Sequence, residues 1–467
     1  MSSTPRPPVA FGDLAPLPHV SRETIGRKRR ALAFAAVGLL ALAAAACATT
    51  QSPQGWSPPL LLKSAAGDQL IIAAHTGHLY ALPPNVTTPV WQFPPVDRTT
   101  YPIASTSAAR LSAEVNALSI PADQKTTLLT KVKNLNAQGP SVTDLKTFLN
   151  TTAASPAEKS KFGADVDAAT AATRDALSNL QAFYGDLGVS ADGKTVYAAA
   201  FRGVVLALDA ATGHLVWATD VGSEMIGGVA VSGDTVYYGS KGRRVYAADA
   251  ASGAVKWTVP TNGEVWSTPT VVDGTVYATS LDGTLYALDL SGKTRWTFKN
   301  ANAGIAGAAT VSGAYVYVGA FDNELYAVKV ADGTQAWSSR GGNWFWGAPR
   351  VDGGVVYAAN LDGRVYAVDA ASGAPKWPKP FDTGAPVRSS PAVAGGGLIV
   401  GNKAGQVYKL DLSTGQAVGS AFLAGSTVYA NLTADASGKV YVSPQSAQLI
   451  VLDATKALTA SSTYTLK

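Results

Sequence analysis

The chain has few of the residues that bind metals or form covalent cross-links. Its 467 residues include a single cysteine, Cys47, and four histidines. One cysteine cannot form a disulfide within the chain. Only His75 and His78 lie close together in the sequence, on either side of a turn, and two ligands without a third make a poor metal site. The sequence therefore predicts neither a metal centre nor a disulfide framework.

Charged residues are also scarce, at 15% of the chain, whereas 47% of the residues are hydrophobic. Residues 1–46 carry six Lys or Arg and two acidic residues, so the remainder holds 31 basic and 30 acidic residues. A surface that binds nucleic acid needs a basic stripe or patch. The near-neutral remainder therefore gives no reason to expect a nucleic-acid partner.

What the chain has in abundance is a repeated phrase of the form LYALD. Eight copies occur; four successive intervals are 40 residues and the last two are 42. The first interval is 126 residues, which is one repeat of 40 plus an insertion of 86. A fixed period of this length is the sign of a repeat protein. The aromatic or apolar residues that mark the copies are Tyr80, Leu206, Tyr246, Tyr286, Tyr326, Tyr366, Tyr408 and Ile450.

Each copy predicts four short β-strands. Residues 266–298, for example, place Val, Tyr, Leu and Thr in short runs that are separated by Asp-Gly, Leu-Asp-Gly and Ser-Gly-Lys. Glycine turns between alternating β-formers are the strongest hairpin signal. Four strands at this period form a propeller blade, and a closed ring buries the blades' faces. The predicted fold class is all-β, an eight-bladed β-propeller with complete first and last blades and an α-helical insertion between blades 1 and 2.

A second pattern follows each marker. Aspartate, glycine and tryptophan recur in the order A-x-D-x-x-T-G-x-x-x-W, as in LALDAATGHLVW and YAVDAASGAPKW. This pattern resembles the PQQ-like repeat, whereas the blades of WD-repeat propellers end in Trp-Asp, which no blade here does. The resemblance implies that the tryptophan of an outer strand docks against the adjoining blade; blade 7 has Gly419 in its place, and blade 8 lacks both the glycine and the tryptophan. The docking residues implied in this way are Trp91, Trp217, Trp257, Trp296, Trp337 and Trp377.

The segment before the ring predicts export. Residues 27–30 are all basic, residues 31–46 are uncharged and mostly apolar, and Cys47 follows. Positive charge, a short apolar run and small residues are the parts of a secretory signal. LAAAAC also resembles a bacterial lipobox, which implies a lipid attached to Cys47. The alternative is an uncleaved single span over residues 31–50; both place the propeller outside the cytoplasm, because the basic cluster stays inside.

The insertion predicts helices near residues 105–118, 121–136, 141–151 and 155–183. Ser141 with Asp144, and Ser155 with Glu158, resemble capping boxes. An apolar stripe along the last helix is either the core of a small helical subdomain or a docking face for a partner. The predicted division of the chain is a tail at 1–30, a signal with lipobox or a membrane anchor at 31–50, blade 1 at 51–96, the insertion at 97–182, and blades 2 to 8 at 183–467.

Loops that lead from one blade to the next surround the mouth of a propeller's funnel. Trp266, Trp346 and Arg388 each lie 20 residues before a marker, which places them at equivalent positions around the ring, and Trp344 and Phe345 lie beside Trp346. An aromatic cluster beside an arginine can hold a peptide, a sugar or an apolar side chain. We therefore predict these five residues as the ligand- or partner-binding site; alternatively, the rings plug the channel or pack between inner strands.

The resemblance leaves three functions open. The BamB-like envelope lipoproteins of this family combine a lipobox, eight blades and no catalytic residues, which implies a non-catalytic, membrane-anchored scaffold that binds other envelope proteins. A second possibility is a cell-surface module that binds a small ligand. The third is a degenerate PQQ-dependent dehydrogenase, but the quinoprotein enzymes carry an adjacent cysteine pair and long loops with calcium-binding carboxylates, which this chain lacks. We therefore expect no cofactor and no enzymatic activity.

Overall fold

The computed structural model describes residues 57–63, 68–74, 76–83, 88–96, 101–136, 140–178, 180–299, 301, 303–446 and 448–465. Cys47, His75 and the apolar segment 31–50 lie outside these residues. The chain divides into two units, Met1–Pro53 and Gln54–Lys467, and every described element belongs to the second. Within the described ranges, no helix has the length and apolar character needed to cross a membrane.

The described strands form eight antiparallel sheets of four strands, and each sheet takes its strands consecutively from the chain. Blades 1 to 4 contain β1 (Leu60–Leu62), β2 (Gln69–Ala73), β3 (Leu79–Leu82) and β4 (Trp91–Phe93); β5 (Gly188–Val189), β6 (Thr195–Ala199), β7 (Val204–Asp209) and β8 (Leu215–Asp220); β9 (Ala230–Ser232), β10 (Thr235–Ser240), β11 (Arg244–Asp249) and β12 (Val255–Pro260); and β13 (Thr270–Val272), β14 (Thr275–Thr279), β15 (Leu285–Asp289) and β16 (Thr294–Phe298).

Blades 5 to 8 contain β17 (Thr310–Ser312), β18 (Tyr315–Gly319), β19 (Glu324–Lys329) and β20 (Gln335–Arg340); β21 (Arg350–Asp352), β22 (Val355–Ala359), β23 (Arg364–Asp369) and β24 (Phe381–Asp382); β25 (Ala392–Ala394), β26 (Gly397–Gly401), β27 (Gln406–Asp411) and β28 (Phe422–Leu423); and β29 (Thr433–Ala434), β30 (Lys439–Val442), β31 (Gln448–Asp453) and β32 (Thr459–Thr465). The predicted eight-bladed β-propeller is confirmed.

The hydrophobic core lies between the blades. A buried cluster joins every neighbouring pair, including blade 8 with blade 1, where Tyr441, Leu449 and Val451 pack against Leu70 and Ile72. The second and third strands of each blade are buried on both faces, as in β14, where every residue is buried. Burial on both faces explains why these strands are rich in Val, Tyr and Ala rather than alternating with charged residues. The ring therefore closes by packing of complete blades, without a shared strand.

Tryptophans in the outer strands, or just before the outer strand in blade 6, connect neighbouring blades by one repeated geometry. The indole Nε1 of Trp217 in blade 2 donates to the Ala250 carbonyl of blade 3 at 2.9 Å. Its ring lies beneath Gly253, where a Cβ would come within 2.5 Å of the indole and where φ is 74°. Glycine is therefore required both by the conformation and by the contact. The same indole-to-carbonyl bond, at 2.8 to 3.0 Å, is made by Trp91, Trp257, Trp296, Trp337 and Trp377.

The joint between blades 7 and 8 lacks a tryptophan and uses a lysine. Lys409, on β27, is only 6% exposed, and its ammonium donates to the carbonyls of Gly395, Ala454 and Lys456 at 2.7 to 2.8 Å. Ala454 follows the aspartate at the end of the third strand, which is the place of the tryptophan acceptors in the other blades. The lysine therefore takes over the role of the indole N–H that Gly419 cannot supply.

The insertion folds into four helices: α1 (Ser105–Ala117), α2 (Ala122–Lys133), α3 (Ser141–Thr151) and α4 (Pro156–Ser178). They share a core of their own, to which the first half of the α4 stripe contributes Phe162, Val166 and Ala169. Near its end, Ala176 and Leu177 join the core between blades 1 and 2. One stripe thus serves both as the core of the helical subdomain and as its attachment to the ring.

The attachment covers the outer edge of blade 2. The Tyr101 hydroxyl accepts a hydrogen bond from the Leu215 amide at 2.5 Å, and the Thr106 hydroxyl donates to the Val216 carbonyl at 3.0 Å. Both partners lie on β8, the outermost strand of the blade. An exposed strand edge invites pairing with other chains, so the insertion protects this one.

The two predicted capping boxes have different outcomes. Glu158 and Ser155 exchange side-chain hydrogen bonds with each other's backbone amides, at 2.8 and 3.3 Å, as predicted. At α3 the prediction is wrong, because the residue before the helix is Pro140 and Ser141 already lies in the first turn. The Ser141 hydroxyl accepts instead from the Asn136 amide at 2.9 Å.

Candidate functional site

Seven described loops lead into innermost strands and surround one end of the channel. The residue four positions before each innermost strand occupies the same place in its blade, and in blades 2 to 8 these residues are Tyr184, Ile226, Trp266, Ala306, Trp346, Arg388 and Tyr429. Trp266, Trp346 and Arg388 therefore occupy equivalent positions. We call this end of the ring the mouth.

Pairs of tyrosine and aspartate anchor the loops that carry the mouth residues. The Asp282 carboxylate accepts hydrogen bonds from the Tyr286 hydroxyl at 2.7 Å and from the Asn262 amide of the incoming loop at 2.9 Å. Burial alone would raise the pKa of Asp282, but these bonds bring it below its usual range. Burial and the neighbouring carboxylate raise the pKa of Tyr286 to about 12. Asp362 and Tyr366 make the same bond in blade 6, at 2.6 Å.

Aromatic rings from three blades meet at the mouth. Trp344 stacks on Phe321 with 4.5 Å between ring centroids, and Phe321 lies 5.1 Å from Trp346. Trp346 in turn lies 6.1 Å from Trp266. Phe321 was not predicted from the sequence, although the signal was present: the equivalent turns of blades 4 and 6 carry a leucine where blade 5 carries this phenylalanine.

Arg388 extends the aromatic cluster to blades 7 and 8. Its guanidinium lies 3.8 Å from the ring centre of Trp346 and 4.8 Å from that of Tyr429, which are cation–π distances. The Trp266 indole N–H donates to the Glu264 carboxylate at 2.6 Å. These contacts hold half-buried rings in defined orientations. We define the mouth cluster as Trp266, Phe321, Trp344, Trp346, Arg388 and Tyr429.

Phe345 does not belong to this cluster. It is 2% exposed and packs in the core between blades 5 and 6, with its ring 5.6 Å from that of Tyr366 in an edge-to-face arrangement. In an extended loop, successive side chains point to opposite sides. Trp344 and Trp346 therefore face the mouth, while the residue between them anchors the loop. The structure therefore places Phe345 in the core and not at the mouth, where the sequence had placed it.

A cavity of about 100 Å³ lies on the axis of the ring behind the mouth, and residues of all eight blades line it. Trp266, Trp346 and Arg388 are at its edge. The blades approach each other closely here, so that a Cβ added to Gly185 would lie 1.9 Å from the Gly228 nitrogen. The cavity is therefore narrow.

Asp186 brings a carboxylate into this axial cavity. It accepts a hydrogen bond from the Thr268 hydroxyl at 2.8 Å and a longer one from the Asn431 amide at 3.4 Å. These partners come from blades 4 and 8, so the contacts reach across the channel. Asp186 was not predicted from the sequence, because a lone aspartate near a strand has no motif around it.

In the described part of the chain, no three His, Cys, Asp or Glu side chains are grouped closely enough to hold a metal ion. His75 lies outside the described residues, so the His75 and His78 pair is not placed.

A family model for the outer membrane protein assembly factor BamB matches residues 201–308 and 290–460, which together exceed half of the chain. The chain belongs to this family of PQQ-like propellers. The matched residues of this BamB-family chain begin in blade 2 and leave out the helical insertion. Among curated proteins, none matches it.

A solved structure from the same family agrees on the fold. The crystal structure of BamB from Moraxella catarrhalis has 24% sequence identity and a TM-score of 0.51, and the match covers 57% of this chain and 81% of that one. At this identity the likeness shows the fold. The computationally designed protein Ika8 has 16% identity and a TM-score of 0.43, over 58% of this chain and 95% of the designed one.

Proposed function

We propose that this BamB-family chain is a non-catalytic scaffold of the cell envelope that binds partner proteins in outer-membrane protein assembly. The observation that carries the proposal is the family match over residues 201–460. The composition of the mouth cluster supports it, because Trp, Tyr and Arg are the residues most enriched among the energetically dominant positions of protein interfaces. Partners would therefore dock at the mouth through Trp266, Trp344, Trp346 and Arg388, with Phe321 completing the surface.

The size of the axial cavity also favours a scaffold over a quinoprotein enzyme. Pockets for cofactors and drug-sized ligands occupy roughly 300 to 1,000 Å³. The axial cavity, at about 100 Å³, accepts only a small group. The single cysteine cannot provide the adjacent pair that the quinoprotein enzymes carry over their cofactor.

The N-terminal segment would supply export and attachment. In the proposed arrangement, residues 1–30 form a cytoplasmic or removed tail, residues 31–50 act as a signal whose Cys47 carries lipid or as a single span, and residues 51–96 and 183–467 form the ring. The helical insertion, proposed as residues 97–182, is hydrogen-bonded to blade 2 through Tyr101 and Thr106. Because it lies outside the family match, it is the part of the molecule best suited to a contact peculiar to this protein.

Site-specific photo-crosslinking in native envelopes tests the proposal. The crosslinking residue p-benzoylphenylalanine replaces Trp344 at the mouth or, as a control, Lys293 in the exposed turn between β15 and β16. Successive turns of a blade lie at opposite ends of the ring, so Lys293 faces away from the mouth. We expect mass spectrometry to identify a component of the barrel-assembly machinery in the Trp344 adduct alone. Absence of any protein adduct at Trp344 would overturn the scaffold proposal.

A further inference from the structure

We infer that the axial cavity binds the ammonium group of a lysine side chain from a docked partner protein, with Asp186 as its counter-ion. The inference rests on the proposed function, since it names the group that a partner at the mouth would insert. Its starting point is a carboxylate that lines a narrow cavity on the axis of the ring.

The partners of Asp186 are neutral. Its two side-chain hydrogen bonds come from a hydroxyl and an amide. A carboxylate has about four sites for accepting hydrogen bonds, so further donors can be accommodated. A ligand ammonium would add a charge-assisted hydrogen bond to the two neutral ones that Asp186 already accepts.

Backbone groups orient the two neutral partners towards Asp186. The Ser390 amide donates to Asn431 Oδ1 at 2.9 Å, which turns the Asn431 NH₂ group to the carboxylate. The Gly228 amide donates to the Thr268 hydroxyl oxygen at 2.9 Å, which leaves the hydroxyl proton for Asp186. The carboxylate is thus held in place before a ligand arrives, which lowers the cost of binding.

The shape of the cavity selects a lysine. A volume of about 100 Å³ excludes a drug-sized molecule but admits a compact ammonium and the methylene before it. Trp266, Trp346 and Tyr184 form apolar walls at the entrance, along which an aliphatic stem can pass. Aromatic faces also attract cations. A guanidinium is wider and planar, and it fits the narrow space less well.

Arg388 makes the inference sharply testable. It is the other charged side chain that lines the cavity, and its guanidinium is held against Trp346 and Tyr429. Its charge opposes the entry of a second cation, and Asp186 compensates. Removing the Asp186 charge therefore leaves the cavity positive, whereas removing the Arg388 charge leaves it negative. The two substitutions should change lysine binding in opposite directions, which a purely structural role of either residue would not produce.

Isothermal titration calorimetry on the purified full-length protein provides the test. The probe is Nα-acetyl-lysine N-methylamide, and its matched neutral analogue is Nα-acetyl-norleucine N-methylamide. We expect the lysine amide alone to bind. Asp186→Asn should weaken binding about tenfold or more, the loss expected for one charged hydrogen bond. Arg388→Gln should tighten it, and Asp192→Asn, an equal charge change at an exposed turn of the same blade, should leave it unchanged.

A cavity-filling variant covers the case in which Asp186→Asn does not fold. Ala308→Leu keeps both charges and fills the axial cavity from blade 5, so it should abolish binding. Equal binding of the lysine and norleucine amides, no binding by the wild type, unchanged binding by Asp186→Asn, or weaker binding by Arg388→Gln would each overturn the inference. The crosslink at Trp344 is measured independently, so its persistence without lysine binding would refute the cavity inference and leave the scaffold proposal standing.

Discussion

Replacing Lys409 by methionine should loosen the joint between blades 7 and 8. Methionine has a similar length and preserves the packing of the aliphatic stem, but it removes three charge-assisted hydrogen bonds to the carbonyls of Gly395, Ala454 and Lys456. Two of these carbonyls belong to blade 8, so the lost bonds join one blade to the next. The substitution therefore tests whether a lysine fulfils the role that tryptophans have in the six joints from blade 1 to blade 7.

The expected loss of unfolding free energy combines lost hydrogen bonds with a relieved desolvation cost. Hydrogen bonds to a charged donor contribute roughly 1.5 to 3 kcal/mol each. Burying the ammonium has its own desolvation cost, which methionine does not incur, and carbonyls tolerate incomplete hydrogen bonding better than amides do. Counting about 1 kcal/mol for each orphaned carbonyl, we expect Lys409→Met to lower the free energy of unfolding by about 3 kcal/mol.

Two measurements check this expectation. Chemical denaturation gives the change in unfolding free energy, and hydrogen exchange followed by mass spectrometry locates it. We expect faster exchange in β29–β32 than in the wild type, with little change in blades 3 and 4. Lys403→Met, at an exposed lysine of the same blade, serves as the control. A change within about 0.5 kcal/mol, the range of ordinary surface substitutions, would refute the joint role of Lys409.

Three further predictions concern other parts of the molecule. The Ser413 hydroxyl and neighbouring amides lower the pKa of Asp411 to about 2. The contribution of Asp411 to stability is therefore complete above the unfolded-state pKa of about 3.9 and is lost as the pH falls towards 2. Asp411→Asn should make the free energy of unfolding less sensitive to acid, which denaturation at a series of pH values measures. Tyr101→Phe orphans the buried Leu215 amide and should cost about 1 to 3 kcal/mol, with faster exchange of β8; an unchanged β8 would contradict the attachment. Cys47→Ser should abolish labelling by a radioactive fatty acid if Cys47 carries lipid, whereas persistent labelling would place the lipid elsewhere.

Much of the fold could be predicted because its signals are local. Glycine turns, strand-forming residues and the Asp-to-Trp spacing are complete within each repeat, and the four predicted helices agree with the structure to within a few residues, except that α4 ends at Ser178 rather than near 183. The geometry of the joints could not be predicted from a single repeat, because each joint is formed by two blades. A signal for the unusual joint existed, since Lys409 replaces the alanine that follows the marker in blades 1 to 6 and coincides with Gly419 in place of tryptophan. Its meaning became clear only when the carbonyls of blade 8 were located.

The candidate site was predictable only in part, because its residues meet across blades. Trp266, Trp346 and Arg388 could be aligned by counting along the repeat. The sequence placed Phe345 at the mouth, whereas its side chain lies in the core. Side chains of an extended loop point alternately to the core and to the mouth, and the sequence does not show which residue of the loop is the first to point to the core. Asp186 was missed because its partners come from blades 4 and 8, far away in sequence. Contacts of this kind depend on ring closure rather than on any local pattern.

The two ends of the ring differ in how strictly they keep the repeat. At the turn end, six of the eight blades keep an aspartate that accepts hydrogen bonds from the turn that follows. These residues are Asp209, Asp249, Asp289, Asp369, Asp411 and Asp453. At the mouth, equivalent positions hold tryptophan, alanine, arginine and tyrosine, and Asp186 is the one carboxylate among the eight residues at its level. A closed ring requires the joints but none of these mouth side chains in particular. We therefore propose that the departures from symmetry reflect binding at the mouth, and the crosslinking and lysine-binding experiments are directed there.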